Sequence, residues 1–153
     1  IMRHADDQNI VYPLQHGFRS KISGESKLIK FIDDISKNMD NGKQSDVLVM
    51  DFSKALDNVS HPLLVHKLHH CGIRGKVNAW IKIILTDRTQ AVLVDGNISD
   101  YINVDSGVPQ GILLGPRLFM YYINAIPIGL KFTLQLFADD LISYMTVSNT
   151  PDA

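Results

Sequence analysis

Two adjacent carboxylates, Asp139 and Asp140, sit between two apolar runs, Thr133 to Ala138 and Leu141 to Val147. Apolar, β-prone segments around a polar pair read as a hairpin with the acids at its bend. Neighbouring Asp side chains repel each other, and a hard divalent cation offsets that repulsion because it takes carboxylate oxygens directly. Alone, such a pair more often marks an Asp-rich turn facing water. A third acid gives it interest. Asp51 stands near the end of the apolar run Asp46 to Phe52, and strand alternation puts it on the face of Val47 and Val49. An acid ending such a strand needs a cation or hydrogen-bond donors, unless it caps a following helix. If this strand lies beside the hairpin, three carboxylates converge at one end of a sheet. Such a site can hold two Mg²⁺ ions ~3.5–4 Å apart, which activate an attacking oxygen and stabilise a leaving one.

The elements that must position these acids are legible as periodicities. Leu28, Ile29, Ile32, Ile35 and Met39 keep helical spacing between Ser26 and Met39, and Asn41-Gly42 supplies a left-handed stop. Asp46 to Phe52 reads as a buried strand. Ser60 is placed as an N-cap, with Pro62 in the first turn of a helix from His61 to about Cys71. Gly72 and Gly75 bracket a break before a second helix, Lys76 to Leu85. Gln90 to Val94 and Tyr101 to Val104 are short strands joined through Asp95-Gly96-Asn97. Gly107 to Gly111 forms a tight, phosphate-sized loop before an apolar helical run from Ile112 to Ile126. No repeat, low-complexity segment or linker interrupts the chain, so one domain is the simplest parse. Helices in the middle and strands of mixed separation predict an α+β fold, an antiparallel sheet covered on one face.

Composition narrows the function classes. The 153 residues are 45% hydrophobic and 20% charged, as expected of a globular chain with a core of ordinary size. A formal net charge of -1 does not announce a nucleic-acid binder. The single Cys71 excludes an internal disulfide framework and favours a reducing compartment. No run is long enough to span a membrane and no signal-peptide pattern opens the chain, so the sequence predicts no membrane partner. An intracellular location, cytoplasm or nucleus, is expected over secretion, and Asn97-Ile98-Ser99 reads as an incidental sequon. Residue 1 is Ile rather than Met, which suggests a fragment.

The segment Asp51-Phe52-Ser53-Lys54-Ala55-Leu56-Asp57 closely resembles motif A of reverse transcriptases from non-LTR (LINE-type) retrotransposons, usually written DFSKAFD. Gly107-Val108-Pro109-Gln110-Gly111, with Leu114-Gly115-Pro116 and Phe119, is similar to their motif B. Phe137-Ala138-Asp139-Asp140 matches motif C, and Gln15-His16-Gly17-Phe18-Arg19 resembles the fingers motif that precedes motif A. Each motif alone is weak; four in the family's order, over about residues 14 to 146, are specific.

The resemblance implies a right-hand polymerase palm (about 46–147) with part of the fingers (about 1–45), in one partial domain without a thumb. It implies RNA-directed DNA synthesis, with a primer 3′-hydroxyl attacking the α-phosphate of a dNTP on an RNA template. Two Mg²⁺ ions would be held by Asp51, the Phe52 carbonyl, Asp139 and Asp140, with Mn²⁺ as an alternative metal. Asp51 and Asp139 would be the principal ligands and Asp140 would lie closer to the primer end. Gln110 and Gly111 would meet the nascent base pair or the nucleotide. Arg19 and Lys21 would hold the triphosphate. Leu56 stands where relatives carry a Phe that screens the sugar. Ile112 replaces their usual Ser, Arg117 an aliphatic residue, and Ala125 the Asp that usually follows Ile123-Asn124. None of these changes removes a metal ligand.

Other residues read more plainly. His66 and His70 have metal-compatible spacing, with His61 and His69 nearby, but nothing in the sequence completes a site, so an exposed helix face is expected. Cys71 and Trp80 are assigned to the core, although Trp80 could stack on a base. Two other functions compete with an active polymerase. One is a catalytically silent, truncated palm module with weak or no nucleic-acid binding. The other is an unrelated metal-dependent phosphoryl-transfer domain, which would not need the motif B loop.

Overall fold

Both apolar runs around the acid pair form strands in the computed structural model, which describes Ala5, residues 10–19 and residues 22–147. By contact density the chain divides into two compact units. One comprises residues 1–10 and 54–124, the other residues 11–53 and 125–153.

The second unit carries the three acids. Its sheet has the order β1-β7-β6, all antiparallel, from β1 (Gln44–Asp51), β6 (Thr133–Phe137) and β7 (Asp140–Val147). Leu134, Leu136, Leu141 and Tyr144 are buried, and helix α1 (Gly24–Asp40) packs against β1 and β6. The helix starts where its cap is strongest. Ser23 accepts from the Ser26 amide, while the Ser26 hydroxyl accepts from the Ser23 amide, a reciprocal capping box. It stops at Asn41, followed by Gly42 at φ 67°, as the sequence indicates.

A buried polar chain ties α1 to the hairpin. The Tyr144 hydroxyl donates to Asp34 Oδ2 at 2.6 Å, and Gln135 Nε2 donates to the Tyr144 oxygen at 2.8 Å. The Phe31 ring meets Tyr144 edge-on at 5.3 Å between centroids. Burial pushes the Asp34 carboxyl up, but hydrogen bonds from Lys30 and Tyr144 and the charges of Lys30 and Lys37 outweigh it. The net effect holds the group below the usual carboxylate range.

In the first unit, α2 (His61–His70) packs against α3 (Gly75–Leu85) and α4 (Leu114–Ile123). Their core includes Leu64, Leu68, Ile81, Leu85, Leu118 and Phe119. The short strands β2 (Thr89–Gln90) and β5 (Ile102–Asn103) pair with each other. Nested between them in sequence, β3 (Leu93–Val94) and β4 (Asn97–Ile98) make a tight hairpin at Asp95-Gly96, so the strand expected over Gln90 to Val94 is split and its second half pairs with Asn97–Ile98 rather than with the strand expected over Tyr101 to Val104.

Several expectations are corrected. β1 is not a buried strand: it is the open edge of its sheet among the described residues, and Val47, Leu48, Val49 and Met50 are all exposed. Apolar composition shows that burial would be favourable, not that a neighbour supplies it. Trp80 is 52% exposed rather than core, because Ile81 and Leu85 take the inner face of α3. Cys71 is half-buried. The helix expected over 112–126 is confined to Leu114–Ile123. Ser60 precedes α2 as expected, but its hydroxyl makes no capping bond.

Tyr144→Phe removes the hydroxyl that joins Asp34 to Gln135, and should cost about 1–3 kcal/mol of stability, read as a lower urea midpoint. Because the folded-state pKa of Asp34 is depressed, its charged contribution is present above the unfolded value, about 4, and lost as pH falls through the folded one. The stability gap between the natural chain and Asp34→Asn should therefore close in acid. A gap independent of pH would show that the carboxylate charge is not involved.

Candidate active site

Register decides where the acids meet. β1 and β7 pair from Gln44↔Val147 through to Asp51↔Asp140, so Asp51 and Asp140 are direct cross-strand neighbours. Directly opposed residues project from the same face, with Cβ atoms roughly 4.5–5.5 Å apart. Asp139 sits in the bend between β6 and β7, next to Ala138 at φ 55°. Asp51 and Asp140 are exposed and Asp139 is half-buried. The register opposes Asp51 to Asp140, with Asp139 one residue before it. Among the described residues no group of three His, Cys, Asp or Glu side chains is arranged to hold a metal ion. The donor set nevertheless suits Mg²⁺, which binds through one or two carboxylates together with substrate phosphates rather than in an all-protein cage.

The bend is braced from behind by a segment whose role sequence reasoning missed. Leu136 N donates to the Leu14 carbonyl at 2.9 Å and His16 N to the Leu136 carbonyl at 2.7 Å, so residues 14–16 run along the outer edge of β6. Gln15 is 2% exposed, and its Oε1 accepts from the amides of Gly17 at 2.7 Å and Ala138 at 3.2 Å. Lys27 of α1, also buried, feels the Asp140 charge. Burial lowers its pKa and the attraction to Asp140 only partly restores it. His16 is pushed down by its own burial, then by the nearby charges of Lys27 and Arg19, and its Nδ1 meets the Ser26 hydroxyl at 3.1 Å. A helical position among polar neighbours gives no sequence signal that Lys27 turns inward.

Arg19 Nη1 lies 3.3 to 3.4 Å from the carbonyls of Tyr12, Pro13 and Gln15, long contacts that hold the guanidinium against its own loop. Lys21 lies outside the described residues. Phe52 follows Asp51 directly and is 39% exposed.

In the other unit, the second half of the Asp51–Asp57 segment clasps the Gly107 loop. Val108 N donates to the Leu56 carbonyl and Gly107 N to the Val59 carbonyl, each at 2.8 Å. The Ser106 hydroxyl donates to the Asp57 carbonyl, and His61 Nε2 bonds the Gly107 carbonyl, each at 2.7 Å. Gln110 Nε2 donates to Asp57 Oδ1 at 2.7 Å, leaving Gln110 exposed but oriented, with Gly111 beside it also exposed. Leu56 is half-buried. A polar cleft of about 540 Å³ opens beside this clasp, lined by Lys54, Asp57, Arg88, Asp105, Ser106 and Gln110 among others. His61 is thus a buried loop anchor. His66 and His70 are exposed and meet edge-on at 4.4 Å between centroids.

The reverse transcriptase (RNA-dependent DNA polymerase) family model matches residues 2–150. The chain belongs to this family. It is 32% identical over 146 residues to the probable RNA-directed DNA polymerase from transposon X-element of Drosophila melanogaster, covering 92% of this chain and 16% of that protein. Another relative, the RNA-directed DNA polymerase from mobile element jockey of the same species, is 30% identical over 113 residues, 74% of this chain and 12% of its own length. A third is the retrovirus-related Pol polyprotein from type-1 retrotransposable element R2 of Popillia japonica, 30% identical over 114 residues, 66% of this chain and 19% of that protein. The chain therefore spans less than a fifth of each of these reverse transcriptase relatives, all of the non-LTR kind that the motifs resemble. No helix among the described residues is long and apolar enough to cross a membrane.

Two glycines, Gly111 in the loop and Gly115 in the first turn of α4, should separate strain from collision. A Cβ at Gly115 would lie 1.9 Å from the Pro109 carbonyl oxygen, whereas one at Gly111 would meet nothing within 4 Å. Gly111→Ala should cost about 1–2 kcal/mol, for the left-handed backbone alone. Gly115→Ala should cost about 3 kcal/mol or more, since backbone must move. Denaturant titration of both variants checks the order, and equal losses would show that the loop yields at no cost.

Proposed function

We propose that this chain is the metal- and nucleotide-handling part of an RNA-directed DNA polymerase, a right-hand palm with part of the fingers. The observation that carries the reading is the register placing Asp51 opposite Asp140, with Asp139 in the adjoining bend, on the motifs where the family carries its acids. Asp51, Asp139 and Asp140, helped by the Phe52 carbonyl, would hold two divalent ions, Mg²⁺ or alternatively Mn²⁺. When bound, such ions lower the pKa of an attacking hydroxyl and neutralise charge on a leaving oxygen. The residues themselves supply position. Opposed strands hold two carboxylates on one face, and positioning with charge stabilisation makes up most of catalysis in phosphoryl transfer.

The proposed substrates are a dNTP, a DNA primer and an RNA template. Gln110 and Gly111 would meet the nucleotide or nascent pair, and Gln110 already has its amide fixed by Asp57. Arg19, with Lys21, would take the triphosphate by exchanging long contacts to backbone carbonyls for charged phosphate oxygens.

The test is thermal unfolding with and without Mg²⁺. Binding to the folded state alone should raise the melting temperature by about 2–4 °C for each kcal/mol of linkage, and Asp139→Asn should remove most of the gain. Melts indifferent to millimolar Mg²⁺ would favour the metal-silent palm module instead.

A second expectation concerns Leu56. Leucine is smaller and more deformable than the aromatic ring relatives carry, so a ribonucleotide's 2′-hydroxyl should collide with it less. In an extended chain that is active, Leu56→Phe should raise the ratio of kcat/KM for dGTP over GTP by about 10–200-fold. An unchanged ratio would show that Leu56 does not screen the sugar.

A further inference from the structure

We propose that Gln15 is a positioning residue for the acid pair: one buried amide oxygen fixes the bend that presents Asp139 and Asp140. The inference rests on reading those acids as metal ligands, and assigns a role to a side chain that the motifs leave without one. Gln15 Oε1 takes two backbone N–H groups, Gly17 at 2.7 Å and Ala138 at 3.2 Å, from segments about 120 residues apart in sequence. Accepting two donors identifies this atom as the oxygen and not the nitrogen of the amide.

Ala138 is the residue that needs holding. It is 8% exposed, precedes Asp139, and carries a positive φ of 55° with a side chain. A left-handed alanine persists where its surroundings over-determine it. The surroundings here are the Gln15 oxygen on its N–H and the backbone of Gly17 packed against it. A Cβ at Gly17 would stand 2.2 Å from Ala138 N and 2.9 Å from Ala138 Cα, so only glycine allows this approach. The segment cannot drift away from the bend, because Leu14 and His16 are bonded through their backbones to Leu136, two residues before Ala138. Three consecutive residues thus set the height of Gln15 against β6, and Gln15 sets the turn.

Partners that orient metal ligands typically contribute about 10–100-fold to metal affinity. Gln15→Met keeps the volume and removes the acceptor; Gly17→Ala keeps Gln15 and pushes the bend away. Gln135→Met is the control, because it deletes a hydrogen bond of similar burial at the Tyr144 hydroxyl, away from the bend. The measurement is Mn²⁺ binding to the full chain by calorimetric titration, alongside hydrogen exchange of the Ala138 amide.

Gln15→Met and Gly17→Ala should weaken Mn²⁺ about tenfold or more and speed exchange at Ala138, whereas Gln135→Met leaves both near their natural values. Should Gln15→Met fail to fold, Gln15→Asn, too short to reach both donors, is expected to show the same loss. Unchanged affinity in the folded variants, or an equal loss in Gln135→Met, overturns the role of Gln15 while Asp139-dependent binding in the natural chain upholds the metal site. A natural chain that binds no Mn²⁺ through Asp139 overturns both.

Discussion

Eight antiparallel residue pairs between β1 and β7 are the constraint on which the acid site depends. Strand side chains repeat every two residues, so a slip of one residue would turn Asp51 to the opposite face from Asp140. No contact between the acids could enforce the register, since like charges opposed across a ladder are destabilising. The register must be set elsewhere, and its anchors lie on the hairpin. Leu141 and Tyr144 on β7 are buried, and the Tyr144 hydroxyl donates to Asp34 of α1. The far end of β7 is thereby fixed against α1. At the acid end Leu141 is buried opposite Leu136, and the bend just beyond is held by Gln15.

At both motif loops, backbone is held by backbone or by a short polar bridge, with glycine where the approach is closest. Gly17 lies against Ala138 in one unit. In the other, Gly107 lies against Leu56 and Asp57, where a Cβ would come within 2.8 Å of the Asp57 carbonyl oxygen. This economy has a physical reason. A loop that presents exposed polar groups has few side chains to bury, here Val108 and Ala138, so much of the anchoring falls to main-chain hydrogen bonds. Gln110 illustrates it: the side chain stays exposed while its loop is fixed by Val108, Gly107 and Ser106.

The hairpin, the acid pair at its bend, the stop of α1 and the Asp95-Gly96 turn were all legible from the chain, whereas the Ser23 cap that starts α1 was not. Each depends on neighbours in sequence. The apolar run of β1 was legible as a strand but not as an edge, and Trp80 sits in an apolar helical pattern yet faces outward. Both errors have one cause: periodicity reports which residues would gain from burial, and only tertiary structure says which do. Gln15 and Lys27 were illegible for the converse reason. Polar side chains carry no burial signal, and they become informative only when distant backbone or charge is brought to them. The family motifs marked Gln15-His16-Gly17 as a unit without saying what the glutamine touches.

The arrangement of acids also accounts for the weak electrostatic signature of the whole chain. With a formal net charge of -1, no general field draws in a polyanion. On the proposed reading attraction for phosphate would be local, from the divalent ions at the acids together with Arg19 and Lys21, and not from a general field. Mg²⁺ dehydrates reluctantly and retains waters, so it is served better by an exposed rim than by a buried cage. Asp51 and Asp140 are exposed as such a rim requires, and the burial that gives the site its rigidity lies one layer behind, in Gln15, His16 and Lys27. Lys27 matters most where no metal screens the acids, since it supplies positive charge to Asp140 from the protein side while paying a desolvation cost for its own burial. A frame that is hydrogen-bonded behind, with Lys27 as its buried cation, and that carries the acids at its edge holds them in register before any ligand arrives.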